Sequence, residues 1–164
     1  MSPLLDDRVK EVLRPLKGKK TVLVAVGNPL RRDDGVGVYI GEEIGRRGLP
    51  FFSVVLAGFA PERVFDDILR EHPAKVVFID AASFGGKPGE IRVLEEEEIA
   101  ASTLSTHTFP LPIVARIVAE EAGCPVFFVG IQPRDVSFGE GLTEAVREAA
   151  QAILAYLEEV VGCA

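Results

Sequence analysis

Cysteine is scarce in this chain, with only Cys124 and Cys163, far apart. Two thiols make no disulfide framework, and neither has the close-set neighbours of a metal site. Long hydrophobic runs are missing too. The N-terminus, MSPLLDDRVKEVL, holds no unbroken apolar core of the kind a secretory signal carries, and no stretch approaches a membrane span. Basic charge is in short supply, 18 Lys and Arg against 25 Asp and Glu, for a net charge of −7. Nucleic acid and anionic membranes are therefore poor partners, because binding phosphate depends on Lys and Arg. The expectation is a cytoplasmic, reduced protein without membrane insertion.

Several motifs are absent as well. GVGVYIG (35–41) has the wrong spacing for a dinucleotide fingerprint, and there is no Walker-type lysine and no HExxH. AASFG (81–85) lacks the glycine that precedes the serine of a nucleophile elbow. No organic cofactor is expected. Cys124 lies between Gly123 and Pro125 at the entry to a strand, where burial suits it better than nucleophilic duty.

What is present is the alternation of an α/β protein. Residues 4–16 carry Leu4, Leu5, Val9, Val12, Leu13 and Leu16 at helical spacing, and Gly18 ends the helix. Residues 22–26 are a near-continuous β-branched run, as in a strand buried on both faces. Val36, Ile40 and Ile44 mark a helix closed by Gly48, residues 51–56 a second strand, and residues 61–69 a second helix started by Pro61. A third strand, 76–79, ends on Asp80. After the turn GGKPGE (85–90), residues 91–94 form a short strand whose brief connection predicts an antiparallel edge position. Glu95 to Glu98 read as a solvated helix start, 102–108 as a loop, 110–123 as a helix with proline in its first turn, and 125–129 as a further buried strand. A last helix carries Leu142, Val146, Ala149, Ile153 and Leu157 on one face. The 164 residues suit one domain, a three-layer α/β sandwich with a mostly parallel twisted sheet of about five strands.

Polar residues collect where the parallel strands end, which is where open α/β sheets bind ligands. The first strand leads into VGNPLRRDDGVG (26–37), with Asn28, Asp33 and Asp34; the third ends on Asp80; the fifth runs into Gln132. His107, one of two histidines, precedes the helix begun by Pro110. The dipole at a helix N-terminus disfavours imidazolium and leaves a histidine free to coordinate. Two carboxylates and an imidazole with open positions suit a borderline divalent ion such as nickel or zinc. Each residue has a plainer alternative. Asp33 could cap the helix that starts near Gly35, Asp80 could close an Asx-turn, and His107 could be an ordinary loop histidine. Asn28 and Gln132 suit loop bracing better than chemistry. His72, beside Pro73 at a helix end, suits the C-terminal dipole and stays outside the site.

The chain closely resembles the hydrogenase maturation endopeptidases that process the large subunit of [NiFe] hydrogenases, in the branch serving formate-linked or energy-converting enzymes. The resemblance spans residues 21–160 in five ordered blocks: VLVAVGNPLRRDDGVG, AGFAPE, VVFIDAASFGGKPGEIRVL, STHTFPLPIV and VFFVGIQPRDVSFGEGLT. The helix at 4–16 lies outside the family's core. The resemblance implies that Asp34, Asp80 and His107 are the metal-binding and catalytic residues; Asn28, Asp33 and Gln132 are read from their places in the strand-end loops as supporting residues. It implies an aspartyl-type endopeptidase that removes a C-terminal extension from a nickel-loaded large-subunit precursor, the nickel coming with the substrate. The same ligands could instead hold a catalytic ion. A nickel-binding chaperone without hydrolysis would use the same three ligands, and a small-molecule hydrolase or phosphorylase could share the sandwich. Arg31 and Arg32 are the only basic pair beside the site for the latter.

Overall fold

The computed structural model describes residues 5–58, 60, 64–102 and 111–162. Its sheet forms from β1 (Thr21–Val26), β2 (Phe52–Gly58), β3 (Lys75–Ala81), β4 (Ile91–Val93) and β5 (Val126–Ile131), in the order β2-β1-β3-β5-β4. β1 and β3 are buried along their whole length, as their β-branched runs require. β1 pairs in parallel with β2 and β3, and β3 with β5. β4 runs antiparallel along β5, Ile91 opposite Ile131 and Val93 opposite Val129. The short connection from β3 cannot make a helical crossover, so β4 turns back at the edge as expected.

Helices cover both faces. On one, α1 (Asp7–Leu13), α2 (Val36–Arg47) and α6 (Glu144–Gly162) pack Val9, Ile40, Ile44, Ile153 and Leu157 against Leu23, Val77, Ile79 and Val129. On the other, α3 (Phe65–Arg70), α4 (Glu96–Ser102) and α5 (Leu111–Ala122) bring Ile68, Ile99, Val114 and Val118 against Val22, Val24, Phe78 and Phe128. Side chains alternate across each strand, so the two sets of strand residues interleave in sequence. No helix among the described residues is long and apolar enough to cross a membrane.

Boundaries differ where capping and proline intervene. The helix expected over 4–16 is Asp7–Leu13. Asp6 caps it, its Oδ1 accepting from Val9 N at 2.8 Å, and Arg14 turns extended ahead of Pro15, as residues before proline tend to. Lys75 Nζ donates to Val12 O at 2.6 Å and to Arg14 O at 2.7 Å, and Tyr156 Oη donates to Lys10 O at 2.9 Å, so this helix is tied to β3 and α6. Burial pulls the Lys75 ammonium down to about 8. Of the helix expected over 61–69, residues 61–63 lie outside the described residues and the remainder is α3. The acidic run becomes α4, with Glu98 Oε1 accepting from Glu95 N at 3.0 Å.

Candidate active site

β1 is followed in sequence by β2 on one side of it and then by β3 on the other. The carboxyl ends of β1 and β3 thus flank a topological switch point, the crevice where open α/β sheets place ligands. Asp34, in the loop that leaves β1, and Asp80, near the end of β3, meet there. Asp34 is 3% exposed and Asp80 is fully buried.

Gly27 makes the meeting possible. It leaves β1 with φ +139, and its N–H donates to Gly58 O at 2.6 Å. A Cβ on Gly27 would lie 2.0 Å from Asp34 O and 3.4 Å from Asp80 Oδ1, so only a bare Cα lets the loop fold down over the strand ends. Asn28 N then donates to Asp34 O at 3.1 Å and to Asp34 Oδ2 at 3.2 Å, while Asn28 Oδ1 accepts from Leu30 N at 3.0 Å. A 3-10 turn over Arg32–Gly35 leads into α2. At Gly37 a Cβ would stand 2.4 Å from Val26 O and 2.3 Å from Ile79 O, so the first turn of α2 presses onto the ends of both strands.

Asp80 sits opposite Gly130 of β5. Its Oδ1 accepts from Ala81 N at 2.8 Å, a contact to the next residue, and its Oδ2 has no hydrogen-bond partner among the described residues. Burial first, and then the carboxylate of Asp34, raise its carboxyl well above the usual range, against the smaller pull of the Ala81 N–H. Two buried acids in one crevice hold a proton tightly, and a cation could take its place.

The neighbouring Asp33 does something else. The plainer expectation, a cap for the following helix, is corrected: Gly35 is the N-cap residue of α2 and no side chain caps it. Asp33 is instead wholly buried and faces the long loop after β5. Its Oδ2 accepts from Arg134 N (2.9 Å), Asp135 N (3.0 Å) and Thr143 Oγ1 (2.8 Å), and its Oδ1 from Thr143 N (2.7 Å). Around it Arg32 N donates to Gly139 O at 3.0 Å, Gly139 N to Leu30 O at 2.9 Å, and Arg31 Nε to Val136 O at 3.0 Å. Residues 28–35 and 134–143 thus form one fastened seam. The role of the second loop escapes a residue-by-residue search, because its contacts are long-range. Its length without helix or strand, between β5 and α6, was the available signal.

Gln132 Oε1 accepts from Phe84 N at 2.9 Å and Gly86 N at 3.1 Å, holding the turn that leaves β3. His107 lies outside the described residues, and among those described no three metal-ligating side chains gather. The structure therefore joins two of the three expected ligands, Asp34 and Asp80, and places Asn28, Asp33 and Gln132 in the loops around them.

An α/β sandwich with a buried acid pair at its switch point has close counterparts among known proteins. Residues 38–160 match the HycI family, the hydrogenase maturation proteases. The hydrogenase 3 maturation protease of Escherichia coli (strain K12) is 33% identical over 138 residues, covering 84% of this chain and 88% of that protein. The crystal structure of the [NiFe] hydrogenase maturation protease HycI from Thermococcus kodakarensis KOD1 superposes with a TM-score of 0.79 at 30% identity, covering 95% of this chain and 99% of that one. The solution structure of the endopeptidase HycI from Escherichia coli gives 0.75 at 30%, covering 87% and 90%. The chain belongs to the hydrogenase maturation protease family. It is a peptidase, and its activity is the proteolytic processing that matures a hydrogenase precursor.

Proposed function

We propose that this protein removes a C-terminal extension from a [NiFe]-hydrogenase large-subunit precursor after nickel insertion, working in the cytoplasm as an aspartyl-type endopeptidase. The observation that carries this reading is the buried Asp34–Asp80 pair at the switch point, with Asp80 Oδ2 unbonded among the described residues and its carboxyl raised by burial and by Asp34. A divalent cation between two such acids lets both ionise and relieves their repulsion. Oxygen donors joined by the imidazole of His107 suit a borderline ion such as nickel, and they leave coordination positions open. Such a set holds the free ion weakly and gains affinity when the substrate brings the remaining ligands. Nickel therefore enters as part of the substrate, and Asp34, Asp80 and His107 recognise it. Cys124 is an unsuitable nucleophile, because burial pushes its thiol up and away from the reactive thiolate.

The test compares apo and nickel-loaded precursor with the protein under chelator, weighing the products by mass spectrometry. Only the nickel-loaded precursor should lose its extension. Equal cutting of both would remove nickel as the signal and leave the three residues a purely hydrolytic role.

A further inference from the structure

Among the described residues β2 is an edge strand, paired with β1 alone. Its seven residues, FSVVLAG, contain no charge and no proline, two of the devices that protect a free edge. Leu56 is 53% exposed in the middle of it. In a parallel pair the N–H and C=O of one residue face the same side. Phe51 O accepts from Thr21 N at 2.8 Å, so residues 51, 53 and 55 turn toward β1, and Phe52, Val54 and Leu56 point their backbone groups outward. No described strand or loop pairs with them.

The edge is hollow on both faces. On the α2 side Tyr39, Gly41, Arg46, Val54 and Leu56 line a cavity of about 590 Å³. On the α3 side Val54, Val55, Leu56, Asp67 and Arg70 line another of about 340 Å³. A strand sends alternate side chains to opposite faces, so an added strand would fill both hollows in turn. The edge also leads to the active site. β1 and β2 run in parallel, and a register shift leaves Ala57 as an extra residue ahead of Gly58, whose carbonyl holds Gly27 N beside the two acids. Bulges of this kind recur beside active sites, where they redirect a strand.

We propose that the outward edge of β2 binds an extended segment of the precursor as an added strand, with alternate side chains in the two hollows, and so delivers the cleaved bond to the Asp34–Asp80 crevice. This rests on the function proposed above. The segment should be apolar at its centre, to match Val54 and Leu56. The continuity of the edge with the site selects the precursor over a second copy of this chain.

Leu56→Pro removes an outward N–H and leaves the inward pairing with β1 in place. Loss of one such hydrogen bond should raise KM for the nickel-loaded precursor about tenfold while kcat changes little. Leu56→Lys, which keeps the N–H and places a charge on the edge, should raise KM as well and serves if the proline variant fails to fold. In the unaltered protein the Val54 and Leu56 amides should exchange more slowly with the precursor present and not with the matured subunit. Unchanged KM in a folded variant, or unchanged exchange while cutting proceeds, overturns the edge assignment alone. Protection that grows with the protein's own concentration, without precursor, gives the edge to a second copy. Absence of cutting by the unaltered protein overturns the parent reading and this one with it.

Discussion

Asp33 and Asp34 are adjacent and both buried, yet their replacement should have opposite consequences. Asp33→Ala removes a carboxylate that accepts four hydrogen bonds, three of them from main-chain N–H groups of the 134–143 loop. A hydrogen bond to a charged group contributes about 1.5–3 kcal/mol, and bonds sharing one acceptor are not additive. With water able to reach part of the opened seam, the expected cost is about 3–4 kcal/mol. For a domain of this size that lowers Tm by about 10 °C. Thr143→Val, which loses only the hydroxyl bond, should cost about 1 kcal/mol. The double variant should cost less than the sum of the two, because both changes break the same contact. Thermal and urea unfolding followed by circular dichroism supply all three numbers. Processing should slow in Asp33→Ala as the 28–35 loop loosens, without vanishing. An Asp33→Ala variant that melts within about 3 °C of the parent refutes the clamp. Complete loss of activity in Asp33→Asn at unaltered stability would instead move Asp33 into the reacting group.

Asp34→Asn and Asp80→Asn should each abolish precursor processing while the circular dichroism spectrum stays native, and loss of the fold in either would make that residue structural. Because burial and Asp34 raise the Asp80 carboxyl, the native state holds this proton more tightly than the unfolded chain. The stability it contributes is therefore complete below about pH 4 and is lost as pH climbs toward the raised folded value. Asp80→Asn escapes that loss, so its advantage in urea midpoint over the parent should be larger at pH 7 than at pH 4, and an equal gap would contradict the assignment. Gly27→Ala must displace Asp34 O from 2.0 Å and adopt φ +139, so processing should fall by about two orders of magnitude or more; near-parent activity would show that the loop closes some other way. Cys124→Ser should cut at the parental rate, as the burial-raised thiol predicts, and strong inhibition by an alkylating reagent without unfolding would reverse that conclusion.

Local pattern in the chain was enough to locate the strands and most helices. Val22–Val26 and Val76–Ile79 are apolar on both faces because both faces are covered, and that requirement is written residue by residue. Asp34 and Asp80 could be selected for the same reason: a carboxylate at the end of a buried strand, or in the loop that leaves one, stands at the ligand-binding rim of a parallel sheet. His107 could be named from sequence, but the loop that carries it lies outside the described residues. Tertiary structure decided which strand ends are neighbours. The order β2-β1-β3-β5-β4 puts Asp34 beside Asp80 and leaves β2 without an outer partner among the described residues, and neither fact has a local signature. The clamp on Asp33 was hidden for the same reason, since its partners stand 101 to 110 residues away along the chain. Periodicity reports how each segment meets water or core, whereas contacts between distant loops exist only once the sheet has assembled and brought them within hydrogen-bonding distance.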